Sequence, residues 1–490
     1  MRNLLHIVCI MFACALACAG CRESQLTDDP TLRLSFSQDT VRFDTVFTST
    51  DGQEPSATIR VMVYNRNREA ILVDHVWMDN GKWFRANVDG EAELSRLTRL
   101  QINGGDSAFV FVHVGIDKQN QADAVWVTDA LNMHLSTGAT QSIQLEAYGQ
   151  DVVRIRTANR RSDYATYHFT AEKPYLVYDT LVVSELTIDA GARIYMHSGA
   201  GIYALGNVKA QGTMNQPITI CGDRLDNLFD SVPYRYASGG WNGVYLQTDK
   251  STTATYDLSY VDILSGNIGL YCVSERTESL PRLTMTGCRI HNHAMYGLVL
   301  LNVDATVANT EISNCASYCV YSQGGTHRFV HSTIASYYGY TNIRIHSTGS
   351  EDVAAVYINN LSKTEPQTLC GFENCIITGA RRNQVVVATP FDQYYPSVWQ
   401  GNYLKCDTLR IPHARQNVYW QETDTAAVFR QDFYRYREYK YYDFRLDSLS
   451  PAIGIGLTDV AAEYPTDRLG QDRTARPDAG AYQGELKIEN

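Results

Sequence analysis

Asp262, Arg289 and Glu311 each stand one residue before an isoleucine, Ile263, Ile290 and Ile312, in a stretch of chain that repeats itself. Two carboxylates on either side of a cation are the groups that acid–base cleavage of a glycosidic bond requires. In coils stacked about 4.8 Å apart the two acids would lie about 9.6 Å from each other, at the upper end of the inverting range. The simpler reading of the same residues is an outward, solvated ladder of alternating charge that adds little to stability. His291 and His293 share one face of a strand, a spacing that suits a ligand or a metal ion. No third ligand falls beside them and Cys315 below His293 reads as core, so no metal site is assigned. Tyr296, Tyr318 and Tyr340 recur every 22 residues and are either core or an outward platform for sugar rings. With His291, His293 and Arg344 they form the set of candidate ligand-binding residues. Asp223 and Arg224 open a long polar excursion, 223–240, in which Asp226, Asp230 and Arg235 also collect; a second, 347–368, carries Glu351 and Asp352. Asp223, Arg224, Asp262 and Glu311 are the residues that would do the work if the chain is catalytic.

The elements that position these residues come from the repeat. Ile290, Ile312 and Ile334 are each 22 residues apart, Ile263 precedes by 22 plus a five-residue insertion around Glu275 to Ser279, and Ile377 follows a longer excursion. Five residues before the isoleucines stand Met285, Val307, Phe329 and Phe372, an apolar column, and two before stand the small Cys288, Thr310, Ser332 and Cys375. Two after stand Asn292, Asn314 and Ser336, which suit a stacked polar turn. Very short strands broken by Gly and polar turns, each coil donating one residue to each column, predict a parallel β-solenoid.

Residues 31–151 alternate differently. Leu32-Leu34-Phe36, Ile59-Val61-Val63 and Phe109-Phe111 with turns at Asn65 to Arg68 and Asn103 to Asp106 predict an antiparallel sandwich. It resembles the immunoglobulin-like domains of bacterial surface proteins and reads as a spacer. The fold class is therefore all-β: a sandwich at 31–151, a linker at 152–172, a solenoid at 173–410 and a closing cap at 411–490 that blunts the open edge of the last coil. The run Tyr434 to Tyr442, which mixes rings and bases, reads as an alternating half-buried strand rather than a surface for acidic glycan or single-stranded nucleic acid.

On these columns the solenoid resembles the right-handed parallel β-helix of the pectate-lyase-like superfamily. Its ending, Ser450-Pro451-Ala452-Ile453-Gly454 through Arg473 and Pro477-Asp478-Ala479-Gly480, is similar to the closing segment of many β-helix surface proteins; Arg473 and Asp478 would pair there. The resemblance implies right-handedness, and it brings polysaccharide lyases and hydrolases into view. Against the polygalacturonase pattern, Asn309-Thr310-Glu311 and Arg344-Ile345-His346 are faint echoes, while the Gly-His-Gly and the core Asp-Asp pair are missing. Asn309-Thr310 fits the turn column better. The expectation is a non-catalytic face that binds a polymer, with a glycan as the expected class, and no cofactor. A lyase or hydrolase, which alone would bring in calcium, is the alternative, and a structural or adhesive solenoid is the third reading.

At the N-terminus, an apolar run from Leu4 to Leu16 ends in Cys18-Ala19-Gly20-Cys21. Ala19 and Gly20 before Cys21 resemble the lipobox of bacterial lipoproteins, with Cys18 where that family prefers Leu. This implies a signal peptide at 1–20, a lipid on Cys21, a polar tether at 21–30 and an outer-membrane lipoprotein of a Gram-negative envelope, its surface facing left open. The membrane would be a partner through that lipid alone, because no interior segment is apolar enough to span a bilayer. Fifty-three acids against 42 bases, a formal charge of −11, argue against nucleic acid as a partner. Of twelve cysteines, eight remain beyond Cys21, and they read as buried thiols more than as bridges.

Overall fold

The structure is a computed structural model that describes residues 25–49, 57–97, 99–156, 166–229, 232–234, 237–276, 278–338, 353–362, 367–389, 397–406, 415–422, 424, 426–431 and 443–484. Two units divide it, 1–151 and 152–490. Cys21 and the lipobox lie outside the described residues, as do Tyr340, Arg344, Glu351, Asp352, Asp230, Arg235 and the run from Tyr434 to Tyr442. Among the described residues no helix is long and apolar enough to cross a membrane.

The first unit pairs a four-stranded with a five-stranded sheet around one core that includes Val41, Phe43, Val61, Phe84, Val110, Leu131 and Leu145. Its strands alternate buried and outward residues, the period that places one face of each sheet against the other. The tether is shorter than the sequence suggests. Thr27 donates its amide to Ala70 O at 3.0 Å, Ala70 to Gln25 O at 2.9 Å, and Ser136 Oγ to Thr27 O at 3.0 Å.

The second unit is a solenoid of parallel strands distributed over sheets of eleven, nine and eight strands, visited in turn. It begins earlier than expected. Val153–Ile155 pairs in parallel with Tyr175–Val177, and Tyr167–Phe169 with Leu186–Ile188, so these parts of the expected linker are solenoid strands. Buried Phe169, in edge contact with Tyr175, gives the reason. At the other end the pairing runs past residue 410, Tyr403–Leu404 against Val418–Tyr419.

The apolar column is present as a fully buried stack, Met285 on Val307 on Phe329 on Phe372, and Trp399 extends it. Phe329 and Phe372 lie 4.8 Å apart at 5°, and Phe372 and Trp399 4.5 Å apart at 27°. The small column is equally buried because the chain must turn directly beside it. That turn is made by a single residue per coil in the left-handed region: Tyr260 (φ 47°), Gly287 (65°), Asn309 (49°), His331 (44°), Asn374 (52°) and Gly401 (66°). Asn309 is thus a corner residue. At the next corner Ser265, Asn292 and Asn314 take the same conformation at 60°, 65° and 52°, whereas Ser336 ends a strand. All eight described cysteines are buried, and Cys272, Cys288, Cys315, Cys319 and Cys375 are free thiols.

The expected cap is in the wrong place. Residues 443–484 lie along the flank of the solenoid: Phe444, Ala479, Ala481 and Tyr482 pack on Ala335, Tyr337, Ile376 and Tyr403, and Leu457 and Val460 on Ala308 and Val330. Arg328 spans from Glu373 to Glu463, and the Asn374 side chain takes the Leu457 amide at 2.8 Å. Nor do Arg473 and Asp478 pair directly. The buried Arg473 donates to Gly480 O and Ala481 O, and the Asp478 carboxylate accepts the amides of Gly454 and Gly484.

Candidate functional site

The flanking C-terminal segment changes the chemistry beneath it. Glu311, 2% exposed, accepts hydrogen bonds from Arg289 Nε at 3.1 Å, Ser313 Oγ at 2.8 Å and Tyr482 Oη at 2.5 Å. Arg468 reaches across to Asp262 at 2.6 Å. Burial opposes the charge on Glu311, but Arg289 and these donors hold its carboxyl down to about 2. Burial pushes the Asp262 carboxyl up, against the pull of Arg468 and Arg289. The ladder is therefore a buried ion network that fastens the C-terminal segment, not a solvated surface and not an open catalytic pair.

His291 and His293 do not form the expected ligand-facing pair, because both are buried. His291 is buried, its Nδ1 sharing a hydrogen bond with Ser313 Oγ at 2.8 Å, with the edge of Phe444 across it. His293 points inward, Nε2 at 3.1 Å from Ile263 O and Nδ1 accepting the Gly266 amide at 3.2 Å. Burial pulls the two imidazoles down to about 3 and about 4, so both are neutral and out of reach of a ligand. Among the described residues no group of three His, Cys, Asp or Glu gathers around a metal-sized space.

Asp223 and Arg224 do not join Asp262 or Glu311. Asp223 Oδ2 lies 2.6 Å from Nδ1 of the half-exposed His197, whose ring meets Tyr178 at 5.1 Å. Arg224 binds Asp226 through two nitrogens at 2.7 and 2.6 Å and covers the Tyr234 ring at 4.2 Å.

The tyrosines are a different matter. Tyr296 and Tyr318 are half-buried at the turn that precedes the eight-stranded sheet, rings 6.3 Å apart at 29°. They flank an aromatic row that the 22-residue alignment missed. Across the outer face of that sheet, register partners run Val182, Tyr203, Tyr245, Tyr271, Val299, Tyr321, Tyr357 and Val386. Tyr318 touches Tyr357 at 4.8 Å, and Tyr296 meets Tyr321 at 6.1 Å. A second outward row carries Gln247, Val273, Leu301 and Gln323, then Asn359 and Ala388.

No Asp, Glu, Lys, Arg or His stands in either row. The nine-stranded sheet, by contrast, shows Lys209, Asp257 and Arg328 in its outward row, and the eleven-stranded sheet Arg193, Asp262, Arg289 and Glu311. Charge thus stands in the outward rows of two faces, while these two rows of the third are uncharged and the first of them is aromatic. Burial, with Tyr203 beside it, pushes the Tyr245 hydroxyl up to about 12, and burial likewise raises Tyr271 and Tyr318, so the phenols stay neutral. The signal was present in the sequence as a short motif: Gly201-Ile-Tyr203, Gly243-Val-Tyr245 and Gly269-Leu-Tyr271, continued without the glycine as Cys319-Val-Tyr321 and Ala355-Val-Tyr357. Glycine leads because the corner is tight. A Cβ on Gly269 would sit 2.3 Å from Ile290 Cγ2 and 2.6 Å from Gly297 O.

No family model and no curated protein matches the chain. A solved structure described as "Crystal structure of YadV chaperone at 1.63 Angstrom" is similar over 24% of this chain and 50% of its own, at 11% identity and a TM-score of 0.16. The chain thus spans half the length of that chaperone, and a score so low carries no argument about fold or function.

Proposed function

We propose that this is a lipid-anchored envelope protein, carried on the outer membrane of a Gram-negative cell, whose β-helix binds a polymer without cleaving it. The polymer is a glycan, and the binding surface is the tyrosine face. In this reading the solenoid is a right-handed parallel β-helix of the pectate-lyase-like kind, the N-terminal unit is an immunoglobulin-like spacer, and Cys21 carries the lipid. The observation that carries it is the uncharged row of five tyrosines flanked by Tyr296 and Tyr318, in a chain whose other solenoid faces are charged. Half-buried aromatics with one polar end are what a hydroxyl-rich, weakly apolar ligand favours. The spacer role is supported within the first unit. Gln25–Thr27 is fastened beside Ser136, and the chain leaves at Asp151 after the strand Thr140–Gln150, whose eleven residues span about 34 Å.

Affinity electrophoresis against neutral and uronate glycans, with assays for new reducing ends and unsaturated products, tests the reading. Retardation without degradation is the expected result. In the same cells Cys21→Ser should release the protein from the membrane fraction; unchanged fractionation and processing would remove the lipoprotein claim. The lyase or hydrolase reading is favoured by one observation, the half-exposed His197 held by Asp223, and it replaces ours if a glycan is degraded and Asp223→Ala abolishes the activity. Neither retention nor cleavage leaves a structural or adhesive solenoid.

A further inference from the structure

How the tyrosines stack decides how a chain can be held. Tyr203 and Tyr245 lie 4.3 Å apart at 5°, and Tyr321 and Tyr357 5.3 Å apart at 17°. These rings spend their faces on the neighbour in the next coil. What they turn outward is a ring edge and a phenol hydroxyl, one per coil, about every 4.8 Å along the axis.

Beside them runs the second row, in which the amides of Gln323 and Asn359 are already linked to the Tyr321 hydroxyl. The Asn359 amide donates to Tyr321 Oη at 2.9 Å and to Gln323 Oε1 at 2.8 Å. Among the described residues the hydroxyls of Tyr271 and Tyr357 find no protein partner. Val299 interrupts the row by one coil, so the hydroxyls fall into two groups, Tyr203–Tyr245–Tyr271 and Tyr321–Tyr357, about 9.6 Å apart across the gap. The ring of Tyr296, at 78° to Tyr321, stands beside that gap.

Resting on the glycan-binding reading above, we propose that this face takes a linear, uncharged glycan laid along the solenoid axis and held by hydroxyl-to-hydroxyl and hydroxyl-to-amide hydrogen bonds. Sugar rings do not stack on the aromatic faces. Three observations carry this. Both outward rows lack charge, and a charged chain would lose its hydration there with no counter-charge in return. Donors and acceptors repeat at the coil interval in a straight line on either side of the Val299 gap, so the ligand that answers them is an extended chain with hydroxyls at a similar interval, as in equatorially linked pyranoses. In the pairs Tyr203–Tyr245 and Tyr321–Tyr357 the ring faces that a stacking platform needs are turned to one another.

The test separates the mode of binding from binding itself. The chain from residue 21 onward is titrated with neutral β-1,4-linked hexaoses of glucose and of mannose, and with hexagalacturonate as the acidic control. Tyr271→Phe/Tyr357→Phe keeps both rings and removes two hydroxyls that have no partner among the described residues, which should leave the fold intact; thermal melts verify that. The double variant should bind a neutral hexaose about tenfold more weakly, the loss of two modest hydrogen bonds. Wild-type affinity in that variant, with binding lost only in Tyr271→Ala/Tyr357→Ala, would mean that ring surface does the binding: the glycan reading stands and this mode falls. Hexagalacturonate binding more tightly than either neutral hexaose overturns the uncharged class. Retention of no glycan by the wild type removes the underlying reading, and concentration-dependent self-association abolished by the Phe variant would assign the face to a second copy of the chain.

Discussion

Replacing Glu311 by alanine separates a solvated ladder from a buried network more sharply than any other substitution. In the folded chain its carboxylate takes hydrogen bonds from Arg289, Ser313 and Tyr482, and its side chain is 3% exposed. Removing it leaves the Arg289 guanidinium with only the Asp262 carboxylate, which Arg468 already engages, and leaves the Tyr482 hydroxyl unpaired under the C-terminal segment. Breaking a buried pair from one side costs about 3–5 kcal/mol, against under about 1 kcal/mol for an exposed pair. Tyr482→Phe removes a single charge-assisted hydrogen bond and should cost about 1.5–3 kcal/mol. Because both act on one network, the double variant should cost less than the sum, with a coupling of about 1–3 kcal/mol. Denaturant melts of the four proteins measure this. A Glu311→Ala cost below about 1 kcal/mol, or strict additivity with Tyr482→Phe, would refute the claim that residues 443–484 seal this face.

Phe329→Ala opens a cavity between Val307 and Phe372 and should cost about 3–5 kcal/mol in the same melts; a near-neutral result would put that column outside the core. Gly269→Ala should cost about 1–3 kcal/mol or prevent folding, since its Cβ has no room beside Ile290 and Gly297. Burial lowers His291, His293 and His327 to about 3, about 4 and about 3, and His331 well below its ordinary value. Their folded values lie below the unfolded one of about 6.5, so the unfolded chain binds protons first. Stability is full above about pH 6.5 and falls below it, by up to about 1.4 kcal/mol per histidine per pH unit, until the folded values are reached. Glu311 adds a further loss as pH falls from its unfolded value of 4.5 toward about 2. A melting temperature flat from pH 7 to 4 would contradict the buried placement of these imidazoles.

The all-β class, the repeating coil and the Met285–Val307–Phe329–Phe372 stack were legible in the sequence. An isoleucine every 22 residues forces equivalent residues onto one column, and a column is either all inside or all outside. The Asn292–Asn314 corner was legible too, since asparagine tolerates the left-handed region. The tyrosine row was written as Gly-x-Tyr but hidden by insertions: Tyr203 and Tyr245 are 42 residues apart, Tyr245 and Tyr271 only 26, and no fixed period aligns them. What the tertiary structure alone decided is which outward row is sealed. Periodicity says that Glu311 and His291 point away from the coil's axis or toward it, but not what arrives later from far along the chain. Tyr482 comes from 171 residues beyond Glu311, and Arg468 from 206 beyond Asp262. Burial of a side chain depends on every segment packed against it, and local spacing carries no record of a partner that distant, so the ladder became a sealed network while the tyrosine row stayed half-buried.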